Sequence, residues 1–163
     1  LTEITVEANT SQNLLEITIR DNGCGMSEEQ VKKVIDPFYT TRTTRKVGLG
    51  VPFFKESAEA AGGSFSIDSK QGVGTTVKAS YELDNIDRMP MGDLTATIHT
   101  LITMHDDIDF LFTYKVNENE FALDTRELRE ILGDISFKEY EVSNYIKDYL
   151  KENITSVTGE III

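Results

Sequence analysis

Residues 21–50 read DNGCGMSEEQVKKVIDPFYTTRTTRKVGLG. A glycine-rich turn that starts with Asp21 begins this stretch, and a second glycine-rich turn, residues 48–50, ends it. Between the two turns the sequence predicts one short helix and a loop rich in threonine and basic side chains. Glycines allow a ligand to approach the backbone closely, and hydroxyl and cationic groups suit an anion. The stretch therefore indicates a nucleotide site.

The composition bounds the class of protein. With 163 residues, 39% hydrophobic and 27% charged, the chain is long enough for one globular domain, with or without an appendage. Its apolar runs are all shorter than the ~20 residues of a membrane span, so we expect no membrane span. The single cysteine, Cys24, cannot form an internal disulfide and fits a reducing cytoplasm.

The charge is negative overall and uneven along the chain. The net charge is −12, which argues against a nucleic-acid partner. Residues 1–83 carry 9 basic and 11 acidic side chains, whereas residues 84–163 carry 7 basic and 17 acidic ones. Between positions 37 and 55 every charged residue is nevertheless basic. A basic loop in an acidic protein favours a small anion as its ligand.

Residues 1–83 show the periodicity of strands and short helices. A capping box of Ser27 and Gln30 predicts a helix from Glu28 to about Ile35, and Pro37 ends it. A second helix follows Gly50 and has a proline in its first turn. Strands are predicted around residues 4–6, 15–19, 64–69 and 75–83, as two hairpins.

Residues 84–93 break this pattern and predict a boundary, after which helices and a hairpin alternate. Asp93 and Asp124 are candidate helix N-caps, and Gly133 would end the second of these helices. Residues 109–116 and 120–123 are predicted strands. Ser136 is predicted to open a last helix, followed by a β-prone tail at 154–163; the helix residues expected to be buried are Tyr140, Ile146, Tyr149 and Leu150.

The first glycine turn suits the base of a nucleotide. A carboxylate such as Asp21 only accepts hydrogen bonds, so it can accept one from the exocyclic N6 amine of adenine. Gly23 and Gly25 remove side chains against which a flat ring would collide. The alternative is structural, because Asn-Gly is a strong signal for a tight β-hairpin turn.

The second glycine turn suits phosphate. It precedes a helix, and helix N-termini bind anions through free N–H groups and the helix dipole. The loop before it supplies hydroxyl and cationic groups; they are Thr40, Thr41, Thr43, Thr44, Arg42, Arg45 and Lys46. It is not a P-loop, because no Gly-Lys-Ser/Thr follows the glycines. The alternative is a flexible loop and an ordinary helix start.

In order and spacing these segments resemble the histidine-kinase-like ATPase superfamily, which includes sensor kinases, gyrase and anti-sigma-factor kinases. Residues 21–25 (DNGCG) resemble its first glycine box, whose aspartate contacts adenine. Residues 36–41 (DPFYTT) resemble its phenylalanine box, and residues 48–50 (GLG) its second glycine box. Residues 72–75 (GVGT) resemble a late element whose threonine supports the adenine side. The resemblance covers about residues 1–83.

The resemblance implies a two-layer α/β sandwich for residues 1–83, with residues 84–163 as an α+β extension that it does not place. It implies ATP or ADP as ligand, with magnesium. The residues that it implies for the nucleotide site are Asp21, Gly23, Gly25, Met26, Phe38, Thr41, Arg42, Arg45, Lys46, Gly48, Leu49, Gly50 and Thr75.

Two departures from the superfamily pattern matter. Lys46 stands where the second glycine box usually has an earlier glycine. The superfamily also has a helix with an asparagine box, which holds magnesium, before the first of these segments. Here the twenty residues before Asp21 are predicted strands. We therefore expect no metal ligand in this chain, and either a fragment of a longer protein, which we favour, or a site completed from elsewhere.

Three functions stay open at this point. The first is phosphoryl transfer from ATP to a protein, for which no catalytic residue can be named. The second is a non-catalytic, nucleotide-gated module whose acidic residues 84–163 dock a protein partner. The third is a fragment that keeps the fold but has lost affinity for nucleotide. Self-association is a further expectation, because a missing helix and three terminal isoleucines would leave apolar surface exposed.

Overall fold

The structure is a computed structural model that describes residues 1–36, 49–161 and 163. Strands and helices alternate along the described chain. In order they are β1 (Thr2–Asn9), β2 (Leu14–Asp21), α1 (Glu28–Val34), α2 (Gly50–Ala60), β3 (Phe65–Lys70), β4 (Gly74–Glu82), α3 (Leu94–Met104), β5 (Phe110–Val116), β6 (Asn119–Asp124), α4 (Thr125–Leu132) and α5 (Tyr140–Thr158). None of these helices combines the length and apolar character that a membrane crossing needs.

The strands form one mixed sheet with the order β3-β4-β2-β1-β5-β6. All neighbours are antiparallel except β1 and β5, which pair in parallel, with Ile4 opposite Phe112. Residues 84–163, which the sequence could not place, therefore contribute two strands to the sheet begun by residues 1–83. The predicted α/β architecture is confirmed.

One face of the sheet is apolar and carries the core. The buried residues of β1, namely Ile4, Val6 and Ala8, alternate with polar ones, as a strand with one covered face requires. Helix residues such as Ala58, Ile146 and Leu150 belong to the same buried cluster. The helices thus form the second layer of a two-layer sandwich.

The other face is polar. Three ion pairs join neighbouring strands across it: Arg20 with Glu3 at 3.6 Å, Lys78 with Glu16 at 2.8 Å, and Lys115 with Glu7 at 3.1 Å. Exposed pairs of this kind each contribute little to the free energy of unfolding, because water screens them. These charges also fix the register of the strands, because a slip of one residue would move every charged side chain to the apolar face.

The helix ends follow the predicted caps. Ser27 Oγ accepts from the N–H of Gln30 at 3.3 Å, and Gln30 Oε1 accepts from the N–H of Ser27 at 2.9 Å, so the capping box is confirmed. Asp93 and Asp124 cap α3 and α4 through their carboxylates, and Gly133 ends α4 with a positive φ of 61°. Each cap satisfies an N–H or C=O group that the helix itself leaves unpaired.

The prediction for the last helix was partly wrong. It begins at Tyr140 rather than after Ser136, and it continues to Thr158, through residues that were expected to be β-prone. Ile146 and Leu150 are buried as predicted, together with Val157 on the same face. This packing outweighs the weak helix propensity of the β-branched residues near the end of the helix.

Two tyrosines of α5 were wrongly expected to be buried. Tyr140 is 79% exposed and Tyr149 is 37% exposed. Tyr140 lies about 120° around the helix axis from Ile146, outside the buried face. Tyr149 lies at the rim of that face.

An arginine of α4 ties the α3–β5 loop to the start of α5. Arg129 donates to Asp109 at 3.2 Å and lies 3.5 Å from Asp106, and its guanidinium stands 4.4 Å from the ring centroid of Phe137. Asp106 also accepts from Ser136 Oγ at 2.5 Å. Two carboxylates of this acidic loop, those of Asp106 and Asp109, are thus paired.

This cluster predicts an acid-sensitive contribution to stability. The Ser136 hydroxyl above all, and also the nearby Phe137 amide and Arg129, hold the pKa of Asp106 below its ordinary value of 3.8. The contribution is therefore complete at neutral pH and is lost as the pH falls through this lowered pKa. Asp106→Asn should lower the free energy of unfolding at pH 7 by about 1–3 kcal/mol.

Urea denaturation at pH 7 and at pH 3 checks this. The variant Asp106→Asn should lose less stability than the unchanged protein between the two pH values. The matched control is Asp107→Asn, because Asp107 is the exposed neighbour. Equal losses in both variants would contradict a special role for Asp106.

Candidate functional site

The carboxylate of Asp21 lies at one end of the sheet. Asp21 is the last residue of β2 and stands opposite Thr75, the second residue of β4. Its Oδ1 accepts from the N–H of Gly23 at 2.8 Å, which leaves Oδ2 as a further acceptor. The hairpin alternative for the Asn-Gly pair is wrong, because β2 pairs with β1 and β4 and the chain continues to α1.

The first glycine turn packs tightly against the turn between β3 and β4. The N–H of Gly72 donates to the C=O of Cys24 at 2.7 Å. A Cβ on Gly25, which has a φ of 63°, would lie 2.0 Å from the carbonyl oxygen of Lys70. Gly25 was predicted to make room for a ring, but the backbone contact alone already requires a glycine there.

A serine that the sequence analysis missed joins these segments. Ser69 Oγ accepts from the N–H of Met26 at 2.8 Å, donates to the C=O of Gly74 at 3.0 Å, and lies 2.9 Å from Thr75 Oγ1. A hydroxyl has one hydrogen, so when Gly74 receives it, Thr75 must donate to Ser69. The lone pairs of Thr75 are then left to accept from a ligand. In the sequence, only the alternation of β3 pointed to Ser69, because it places Ser69 on the same face as Phe65 and Ile67.

The floor beside Asp21 is apolar and partly open. Ile19 is 37% exposed and pairs across the sheet with Val77, which pairs in turn with Ile67; both partners are half-buried. These three side chains share the face of Asp21 and Thr75, since side chains two residues apart in a strand point the same way. A flat apolar ring can lie on such a floor with its polar edge toward Asp21.

A shallow cleft of about 450 Å³ opens at the ends of β2, β3 and β4. Its lining brings together two predicted site residues, Asp21 and Thr75, with Ser69, which the prediction missed. Lys70 and Arg20 also line the cleft, but alternation along β3 and β2 places their side chains on the polar face of the sheet. A carboxylate acceptor and two hydroxyls at the rim of an apolar floor can bind a flat ring with a polar edge.

The N-terminus of α2 carries the described part of the second glycine turn. Leu49 is the N-cap and makes no side-chain capping bond, and the first turn holds no acidic residue. A Cβ on Gly50 would meet no atom within 4 Å, so the space in front of the helix is open among the described residues. Within the described residues nothing covers the positive end of the helix dipole, which attracts an anion.

Six predicted site residues lie outside the described residues: Phe38, Thr41, Arg42, Arg45, Lys46 and Gly48. Their assignment stays a prediction from the sequence. Within the described residues, no three His, Cys, Asp or Glu side chains are grouped as metal ligands. His99, on α3, makes a structural contact, with its Nε2 lying 2.9 Å from Ser143 Oγ.

The chain is similar to histidine kinases. A family model described as "Histidine kinase-, DNA gyrase B-, and HSP90-like ATPase" matches residues 1–85. Sensor histidine kinase WalK of Bacillus subtilis is 38% identical over 77 residues, which are 44% of this chain and 13% of that kinase. CAI-1 autoinducer sensor kinase/phosphatase CqsS of Vibrio cholerae is 35% identical over 78 residues, which are 48% of this chain and 11% of that protein.

A solved structure is also similar. The catalytic domain of histidine kinase ThkA matches with a TM-score of 0.41 and 20% identity, over 53% of this chain and 57% of that chain. The chain thus spans 11–13% of the length of the two kinases above, and the similarity concerns their shared domain rather than the whole proteins.

Proposed function

Because the chain belongs to the family of histidine kinase-, DNA gyrase B- and HSP90-like ATPases, we propose that Asp21 selects the adenine of ATP or ADP. The observation that carries this proposal is the placement of Asp21 beside Thr75 at the end of an open apolar floor. Oδ2 of Asp21 accepts from the N6 amine, while Thr75, held by Ser69, supports the same edge of the ring. Ile19 and Val77 contact its face.

The phosphates extend toward the N-terminus of α2. Leu49 and Gly50 offer them the open helix end, and the predicted lid residues Arg42, Arg45 and Lys46 add positive charge. Magnesium, when bound with the nucleotide, neutralises phosphate charge and aligns the phosphates for transfer. Within the described residues no three His, Cys, Asp or Glu side chains form a metal-binding group, so no ligand of magnesium is assigned here.

For the intact protein the proposed reaction is phosphoryl transfer to a protein partner in the cytoplasm. Phosphoryl transfer depends on positioning and charge stabilisation more than on covalent chemistry from the protein. The similarity to sensor kinases supports this reaction over simple hydrolysis. Radiolabelled ATP, incubated with the natural full-length protein and candidate partners, should label a partner protein.

A regulatory module is the second candidate, and one observation favours it. The strand that ends at Asp21 belongs to the same sheet as β5 and β6 of the acidic C-terminal half. Nucleotide binding could therefore be sensed by a partner docked on that half without any transfer. In that case the partner stays unlabelled, and its binding to the protein changes on addition of ATP.

Cys24 offers a direct test of nucleotide binding. It is the only cysteine, it is exposed, and it lies within the turn that should contact the nucleotide. ADP with magnesium should slow alkylation of Cys24 by iodoacetamide roughly tenfold at a concentration ten times the dissociation constant. The rate is measured by intact-protein mass spectrometry.

GDP at the same concentration is the matched control. Guanine presents a carbonyl where adenine presents its N6 amine, so it cannot donate to Asp21 there. Protection by ADP but not by GDP is the expected result. Equal alkylation rates with and without millimolar ADP would contradict the proposed site.

A further inference from the structure

The strand β6 forms one edge of the sheet. In the described part of the chain its neighbour is β5, joined to it by the turn at Asn117 and Glu118, with Val116 opposite Asn119. In such a two-residue hairpin the closing pair exchanges backbone hydrogen bonds, and bonded pairs then alternate along the strands. The backbone N–H and C=O groups of Glu120 and Ala122 consequently face away from β5, toward the open edge.

Exposed aromatic rings flank this edge. Tyr145 and Tyr149 of α5 stack with ring centroids 6.0 Å apart and an interplanar angle of 11°. Tyr149 also packs edge-on against Phe121 of β6, at 5.5 Å and 69°. Tyr145 is 61% exposed although its stacking partner lies at the rim of the core. Tyrosines arranged in this way are typical of binding surfaces, since they offer large contact area with little entropy loss.

The charge around this edge is negative, although Lys115 of β5 stands opposite Glu120. Glu118 and Glu120 are exposed on the hairpin, and Glu141 and Glu152 are exposed on α5. The spacing of four between Glu141 and Tyr145, and of three between Tyr149 and Glu152, places these acids on the tyrosine side of the helix. The nearest lysines of α5 lie about 160° away from Tyr149 around the axis; they are Lys147 and Lys151.

We propose that β6 binds an extended, basic segment of a partner protein as an added strand. Backbone hydrogen bonds to Glu120 and Ala122 hold the segment, and its apolar side chains pack on Tyr145 and Tyr149. Its basic side chains alternate with the apolar ones and lie on the side of Glu120. This edge would be the docking site of the protein partner proposed above, so the inference rests on that proposal. It lies across the sheet from Asp21, so the two sites can be tested separately.

A second copy of this chain is the less suitable occupant. If two β6 strands paired antiparallel about Ala122, Glu120 of one copy would stand opposite Asp124 of the other. Like charges directly opposite each other in a sheet are destabilising. A basic segment does not meet this obstacle.

The test uses two substitutions at one position. Ala122→Pro removes an outward-facing N–H, and proline is tolerated on edge strands where that N–H does not pair within the sheet. Ala122→Thr keeps the N–H and suits a strand. The probe is a fluorescein-labelled peptide of about eight residues that alternates lysine with valine and tyrosine, and fluorescence anisotropy reports its binding.

The peptide should bind the unchanged protein and Ala122→Thr alike, and roughly tenfold more weakly to Ala122→Pro and to Tyr145→Ser. A peptide of equal charge with a central proline should bind poorly. Equal binding of both peptides, or equal binding by both Ala122 variants, would overturn the strand-addition site. So would Ala122→Pro abolishing a dimer seen by light scattering, which would identify a second copy as the occupant.

ADP protection of Cys24 is measured in the same variants. It should be unchanged in Ala122→Pro, which also shows that the variant is folded. Loss of peptide binding with intact protection concerns the β6 edge alone. Absence of protection in every variant would count against the nucleotide site instead.

Discussion

Asp21→Asn should lower the affinity for ADP by roughly 10- to 100-fold, because a hydrogen bond to a charged acceptor contributes about 1.5–3 kcal/mol. Asparagine keeps the shape of the side chain, and its oxygen can still accept from the N–H of Gly23, at 2.8 Å in the unchanged protein. The second position, however, becomes an NH₂ donor that faces the N6 amine of adenine. The binding loss therefore comes from the reversed hydrogen bond rather than from disruption of the turn. Isothermal titration with ADP and magnesium measures it.

The matched control for this change is Asp68→Asn. Asp68 is an exposed residue of β3 and lines the same cleft, but its side chain belongs to the polar face of the sheet. It removes the same charge at the same end of the sheet without changing the face that carries Asp21. If both variants bind ADP with the same affinity, Asp21 does not recognise adenine. Circular dichroism of both variants confirms that the fold is kept.

The parts of the fold that the sequence predicted are those set by local chemistry. A cap such as Ser27 with Gln30, or Asp124 before α4, satisfies helix N–H groups within four residues, so it can be recognised in a short window. Strand alternation in β1 and β2 is likewise local, because it follows from one covered face. These features were all confirmed.

What the sequence did not predict depends on contacts between distant residues. Nothing in the periodicity of β5 specifies that it pairs in parallel with β1, more than 100 residues earlier. The length of α5 was likewise missed, because packing of Val157 against the core keeps its β-branched end helical. Helix and strand propensities describe an isolated segment. The rest of the chain can outweigh them, because it buries apolar side chains of that segment.

The candidate site also has parts that the sequence predicted and parts that it did not. That Asp21 and Thr75 share a site came from the resemblance to a family, since 54 positions separate them in sequence. The sheet makes them cross-strand neighbours, and the hydroxyl of Ser69 contacts that of Thr75. No sequence motif predicts this contact. Whether they bind adenine stays a prediction, which the variant Asp21→Asn tests.

Gly74 lets β4 approach the strand end that carries Asp21, and Gly74→Ala should lower stability strongly. Gly74 has a φ of 137°, which L-residues rarely adopt, and a Cβ there would lie 2.0 Å from the carbonyl oxygen of Asp21 and 3.0 Å from Cα of Asn22. Both are backbone atoms, so relief requires β2 and β4 to separate. We expect a loss of about 3 kcal/mol or more in the free energy of unfolding, from strain and overpacking together.

Gly72→Ala is the matched control, because it tests the cost of a positive φ without a backbone clash. Gly72 also has a positive φ, 76°, but a Cβ there meets no atom within 4 Å. Gly72→Ala should therefore cost only about 1–2 kcal/mol, the penalty of a left-handed residue, and should leave ADP affinity near that of the unchanged protein. Gly74→Ala should also weaken ADP binding, because it displaces the backbone that carries Asp21. Urea denaturation and titration with ADP measure both variants. If the two alanine variants proved equally stable, β2 and β4 would not need to approach so closely, and the position of Asp21 would not depend on Gly74.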